Sequence, residues 1–181
     1  MKNLGWNLYC GNEQDFYQNL LCKAEPVRSE TEISDCMPQN WAVVHACKEP
    51  FHRMALQYTG RGCPKDHPDY LWSERSGNRL ALNMVDVPNP SFFDKRMIDK
   101  ALDFIEKKLG EGLNVLVHCN EGFSRSPSIC LLYLLKHGKI KGDTLDDCIT
   151  EFTKVYREYN PGIGIRGFLE KYWEDYSLNI N

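Results

Sequence analysis

Asn114-Val115-Leu116-Val117-His118-Cys119-Asn120-Glu121-Gly122-Phe123-Ser124-Arg125-Ser126-Pro127, continued by Ser-Ile-Cys-Leu-Leu-Tyr-Leu-Leu-Lys to His137, is the stretch that decides the fold. Asn114 to His118 is apolar and β-branched, which predicts a buried strand. Pro127 to His137 is apolar nearly all round, which predicts a central helix with Gly138 as its stop. A short polar loop with Gly122 in its middle joins the two. A strand that feeds directly into a buried helix is the unit from which parallel sheets are built.

The same alternation extends to both sides. Leu8 to Cys10 predicts a short strand ended by Gly11, and Asn12 a cap for a helix carrying Phe16, Leu20 and Leu21 on one face. Trp41 to His45 and Leu80 to Val85 read as further buried strands. Phe93, Met97, Ala101, Ile105 and Leu109 repeat with helical spacing over 92–109, before Gly110 and Gly112. Asp143 to Tyr159 is amphipathic, and a last helix is expected from about Arg166 to Tyr176. The expected fold is therefore α/β: a central, mostly parallel sheet flanked by helices on both faces, in one domain over 1–181. Gln57 to Arg79, with Gly60, Gly62, Pro64, Pro68, Gly77 and many charges, fits no element and reads as a loop insertion near the site.

Composition narrows the class. The 181 residues are 42% hydrophobic and 26% charged, as in an ordinary globular chain, and a net charge of −3 gives no global basic field for nucleic acid. Met1 to Asn12 lacks the apolar core of a secretory signal, and the apolar run Ile129 to Leu135 is too short to span a bilayer. A monomeric cytoplasmic protein without membrane insertion is the expectation, and in a reducing compartment most of the eight cysteines serve as small buried residues.

Cys119 is the exception. It lies six positions before Arg125 in a loop where a strand gives way to a helix, the place where open α/β sheets bind ligands. Such a loop can turn the backbone N–H groups of Asn120, Glu121, Gly122, Phe123 and Ser124 inward around an anion, and the helix N-terminus adds its positive end. Arg125 supplies a planar fork able to hold two phosphate oxygens. The same field favours the thiolate of Cys119, the attacking form of a cysteine. Ser126 is placed to hydrogen-bond that sulfur, and His118 to organise the loop.

The run His118 to Ser126 resembles the signature loop of the cysteine-based protein tyrosine phosphatase superfamily, and Gly122-Phe123-Ser124-Arg125-Ser126 is similar to its dual-specificity branch. That resemblance implies hydrolysis of a phosphorylated protein or peptide through a phosphocysteine intermediate. It also implies no cofactor, no metal, and an aspartic acid on a separate loop as general acid. Asp86, 33 residues before Cys119 and followed by the stiff turn Val87-Pro88-Asn89-Pro90, fits the separation usual in that branch. Asp94 is the rival, beside Phe93 at a helix start, where a capping role is expected.

The pattern also departs from the family. Where relatives carry Asn-x-Gly-Phe, this chain has Ile165-Arg166-Gly167-Phe168, with Asn160 nearby. Cys47, His52, Cys63 and His67 lack a compact paired zinc spacing. Lys48, His52, Arg53, Arg61 and Lys65 form a locally basic stretch that reads first as a solvated loop face, and Tyr156, Tyr159, Tyr172, Trp173 and Tyr176 as packing residues. Glu121 and the absence of extra cations in the loop favour a singly phosphorylated substrate. The competing readings are a phospho-binding relative without turnover, a phosphatase of phosphoinositides, nucleotides or RNA, and a sulfur transferase or arsenate reductase.

Overall fold

The computed structural model describes residues 1–23, 25–27 and 29–177. The chain runs β1 (Lys2–Gly5), β2 (Leu8–Asn12), α1 (Glu13–Asp15) with a π turn at Phe16–Leu20, α2 (Glu30–Cys36) and β3 (Trp41–His45). A second π segment (Lys48–His52) leads into α3 (Arg53–Leu56), followed by β4 (Trp72–Arg75), β5 (Arg79–Leu82), α4 (Lys95–Gly110) and β6 (Asn114–Cys119). Helices α5 (Arg125–Lys136), α6 (Leu145–Val155) and α7 (Ile163–Ser177) complete it.

The six strands form one sheet in the order β1-β2-β6-β3-β5-β4. The four inner strands are parallel, and antiparallel β1 and β4 close the edges. The mostly parallel α/β sheet read from the sequence is the observed one. Strand β6 sits between β2 and β3, with Cys119 level with Asn12 and His118 level with His45. Three parallel strands thus end together, and their loops converge on one point above the sheet.

Packing follows the apolar pattern. Residues 125 to 135 of α5 are all buried, as expected of a helix apolar on every side. Burying each of its large aliphatic side chains stabilises the fold by about 1.5–3 kcal/mol. Helix α4 packs on the same face through Met97, Ile98, Ala101, Leu102 and Ile105. Phe16 and Phe51 cover the other face, over His45 and His118. Among the described residues no helix is long and apolar enough to cross a membrane.

Several boundaries differ from the sequence expectation. Helix α5 begins at Arg125, two residues before Pro127, so the arginine belongs to its first turn. Strand β5 ends at Leu82 rather than Val85: Asn83 N–H still bonds Leu71 O at 2.9 Å in register with β4, but Met84 O then turns to Lys48 N–H, and Asp86 lies beyond the sheet. Within 57–79, Trp72–Arg75 forms edge strand β4. Helix α6 is shorter than Asp143–Tyr159: Thr144 and Asp147 form a capping box at its start, and non-helical backbone at Tyr156 (φ −128°, ψ 85°) stops it. Strand β1 and helix α2 carried no clear sequence signal; the β1–β2 turn uses Trp6 and Asn7, both at positive φ, in place of an Asn-Gly pair.

Candidate active site

Cys119 is the last residue of β6 and is 1% exposed. Its sulfur accepts the Ser126 hydroxyl at 3.2 Å and the Gly122 backbone N–H at 3.3 Å. Ser126 lies in the first turn of α5, so one short loop carries both the sulfur and the groups that stabilise its negative form. Gly122 has φ +81°, and a Cβ there would come within 2.9 Å of Asn12 Cβ, so both conformation and space require glycine.

The loop is tied down from outside at every turn. Tyr156 donates its hydroxyl to Gly122 O at 2.8 Å. Asn160 N–H donates to Phe123 O at 2.8 Å, and Gly162 N–H to Ser124 Oγ at 3.0 Å. Ser128 Oγ donates to Ser124 O at 2.7 Å, which leaves Tyr159 as the donor in its 2.9 Å bond to Ser128. Backbone groups of 160–162 and two tyrosine hydroxyls thus support the loop, while Ile165, at the position where relatives carry an asparagine, is buried in the core. Tyr156 and Tyr159, read from sequence as packing residues, hydrogen-bond to this machinery; nothing in their spacing signalled it.

Arg125 is 5% exposed and spans the cleft. Its Nη1 donates to Met84 O at 3.1 Å and its Nη2 to Asn120 Oδ1 at 3.0 Å. Asn120 is itself anchored, donating to Glu13 Oε2 at 2.7 Å and Glu49 O at 3.0 Å. Arg125 Nε has no hydrogen-bond partner and lies 3.4 Å from Asp86 Oδ2. The Asp86 side chain is 43% exposed, on the rim of the cleft. Asp94 instead caps α4, accepting Arg96 N–H at 2.9 Å, and its pairing with the Arg96 side chain holds its carboxyl below the usual range. Glu121 and Phe123 project from the loop into solvent.

His118 is wholly buried, and burial pushes its pKa down to about 3. Its Nε2 lies 2.6 Å from His45 Nδ1, and its Nδ1 lies 3.4 Å from Cys119 O. With both rings neutral, one tautomer chain satisfies this: His118 Nδ1–H donates to Cys119 O, and His45 Nδ1–H donates to His118 Nε2. His45 Nε2 is then a buried acceptor with no partner. Phe16 stacks on His118 and Phe51 on His45, at centroid distances of 5.0 and 4.1 Å. His118 therefore holds the loop, with His45 as a support the sequence did not reveal.

The zinc alternative finds no geometry. His52 bonds Asp69 O at 3.0 Å and Tyr58 OH at 3.3 Å, and His67 Nδ1 accepts Asp69 N–H. Among the described residues no three His, Cys, Asp or Glu gather around a metal position.

Known proteins resemble this chain in sequence and in fold. Dual specificity protein phosphatase 5 of Homo sapiens is 37% identical over 101 residues, 55% of this chain and 26% of that protein. The Rattus norvegicus counterpart is 38% identical over 73 residues, 40% of this chain and 18% of that protein. The chain thus spans about a quarter or less of these curated relatives. In fold it is similar to the crystal structure of the human tyrosine phosphatase-like serine/threonine/tyrosine-interacting protein, with a TM-score of 0.60, 18% identity and 97% of each chain covered. The family model of the dual specificity phosphatase catalytic domain matches residues 63–173, more than half of the sequence and the whole signature loop, and the chain belongs to that family.

Proposed function

We propose that this chain is a cysteine-dependent phosphatase that hydrolyses phosphate monoesters on proteins, on tyrosine or with dual specificity. One observation carries the reading: on a strand-to-helix loop the Cys119 sulfur accepts both the Ser126 hydroxyl and the Gly122 N–H, and the buried Arg125 of the same loop pairs through Nε with Asp86 at 3.4 Å.

In this mechanism the Cys119 thiolate attacks phosphorus and the ester P–O bond breaks, with Arg125 Nε and the loop N–H groups holding the equatorial oxygens. Asp86 gives its proton to the departing oxygen. The phosphocysteine is then cleaved by water whose proton returns to Asp86, and the Ser126 hydroxyl stabilises the thiolate as it leaves. No metal or cofactor enters these steps.

All eight cysteines are unpaired, which supports a reducing, cytoplasmic setting. We also read the chain as one catalytic domain, since its strands join a single sheet, with a loop insertion at 57–79 that carries edge strand β4.

The test is a panel of para-nitrophenyl phosphate, phosphotyrosine and phosphothreonine peptides, a phosphoinositide and a nucleotide, assayed with wild type and Cys119→Ser. Turnover of the aryl phosphate and of phosphopeptides is expected, falling by at least about three orders of magnitude in the variant. Phosphopeptide binding without any turnover by wild type would establish the binding-module alternative instead.

A further inference from the structure

A second cavity, of about 360 Å³, lies beside the phosphate site and takes no part in the chemistry above. Leu71, Val85 and Met97, with Phe92 at the edge, give it an apolar lining beside Tyr70, Asn83 and Ser91, and Lys48, Lys65 and Asp94 bring its charges. One carbonyl links its wall to the reacting centre: Met84 O accepts both the Lys48 backbone N–H at 2.9 Å and Arg125 Nη1 at 3.1 Å. Phe92 is 57% exposed, an aromatic ring left in water at the edge of a cleft.

Lysines outnumber carboxylates in the lining of this cavity by two to one. Lys65 is exposed and has no ion pair among the described residues. Lys48 Nζ donates to Arg61 O at 2.7 Å and lies 3.5 Å from Glu49, whose two oxygens are already held by Arg53 at 2.7 Å each. The single carboxylate on the wall, Asp94, is likewise engaged by Arg96 at 3.0 and 2.7 Å. Two cations over an apolar floor match a side chain with a methylene stem and an anionic end.

Resting on the phosphatase reading, we propose that this cavity is a selectivity subsite for a glutamate flanking the phosphorylated residue of a peptide substrate. The stem lies on Leu71, Val85, Phe92 and Met97, and the carboxylate meets Lys65 and Lys48. The basic stretch from Lys48 to Lys65 thereby becomes part of substrate recognition.

The experiment uses phosphopeptides built on whichever phosphoresidue the protein hydrolyses best, with Glu, Gln or Lys scanned through the flanking positions. Wild type is compared with Lys65→Glu, and para-nitrophenyl phosphate turnover serves as control. Lys65 is exposed and touches no group of the phosphate site, so that control rate is expected to be unchanged. At one flanking position Glu is expected to exceed Lys by about fivefold in kcat/KM, the size of a partly shielded ion pair, and Lys65→Glu to abolish or reverse that order. Equal rates at every position in wild type, or an undiminished preference in Lys65→Glu, would overturn the subsite. Failure of wild type to turn over para-nitrophenyl phosphate would overturn the phosphatase reading instead.

Discussion

The two carriers of the proposed chemistry are held in opposite ways. The loop Cys119 to Ser126 is over-determined: Tyr156, Asn160, Gly162, Ser128 and His118 each bond it from a different position, and Gly122 is wedged against Asn12. Asp86 lies on a segment that has left the sheet, and its carboxylate meets one charged partner at 3.4 Å. A phosphoryl group has one geometry, so the groups that hold it gain from being fixed in advance. Leaving groups differ in size and depth, so an acid on an exposed loop can meet more than one of them.

Four substitutions or conditions test that contrast, beginning with the largest effect. Arg125→Lys should lower kcat/KM for every substrate by about 10²–10³-fold, because a point charge cannot replace the planar fork. Near-normal activity in steady-state assays would show that the fixed side of the cleft does not depend on the guanidinium.

Asp86→Asn should divide substrates by leaving group. Alkyl phosphates, which need the proton, should lose about 10²-fold in kcat, while para-nitrophenyl phosphate, with its weakly basic leaving group, should lose far less. An equal loss on both would mean that Asp86 acts through its ion pair with Arg125 and not as the acid.

Tyr156→Phe removes one tie from the rigid side. Leaving Gly122 O without its donor should cost about 1–3 kcal/mol in denaturant unfolding. Turnover should fall with little change in the response to leaving group, because the loop and not the acid is disturbed. Unaltered stability would mean that the loop holds its shape without this bond.

The smallest effect is on pH dependence. Burial lowers the pKa of both His45 and His118, the latter to about 3. Unfolding returns each ring to about 6.5, so the unfolded chain binds more protons than the native one at any pH between these values. Stability is therefore unaffected by this pair above about pH 6.5 and falls as the pH drops below it. A thermal-unfolding series from pH 7 to 5 should show this slope, and His45→Gln, which keeps a donor for His118 Nε2, should reduce it. An unchanged slope would mean that the imidazole pair does not titrate on unfolding.

How much of this was legible in the sequence depended on distance along the chain. The strand and helix around Cys119, the capping residue Asn12, the cap at Asp94 and the parallel core were readable because each rests on periodicity or on residues three or four apart. The strand predicted to end at Val85 ended at Leu82, and Met84 O beyond it meets Lys48 N–H and Arg125 Nη1, contacts that no local pattern encodes. Tyr156 lies 34 positions from the Gly122 carbonyl it binds, and Ser126 lies 115 positions from Gly11, whose carbonyl at 3.0 Å shares with the Cys119 sulfur the one hydrogen of the Ser126 hydroxyl. A tyrosine at helical spacing reads the same whether its hydroxyl meets water or a loop carbonyl.

The sequence alone determined which groups are available: a thiol and a guanidinium six residues apart on a strand-to-helix loop, with a carboxylate upstream. Local hydrogen bonding and hydrophobic periodicity act over short spans, so they are written into short spans. Tertiary structure decided what those groups face. It placed Met84 O and Asn120 against Arg125, Asp86 beside its Nε, His45 behind His118, and two lysines over an apolar cavity next to the cleft. Such neighbours are set by how the sheet orders its strands and where each loop folds back, a property of the whole chain that no single stretch of it carries.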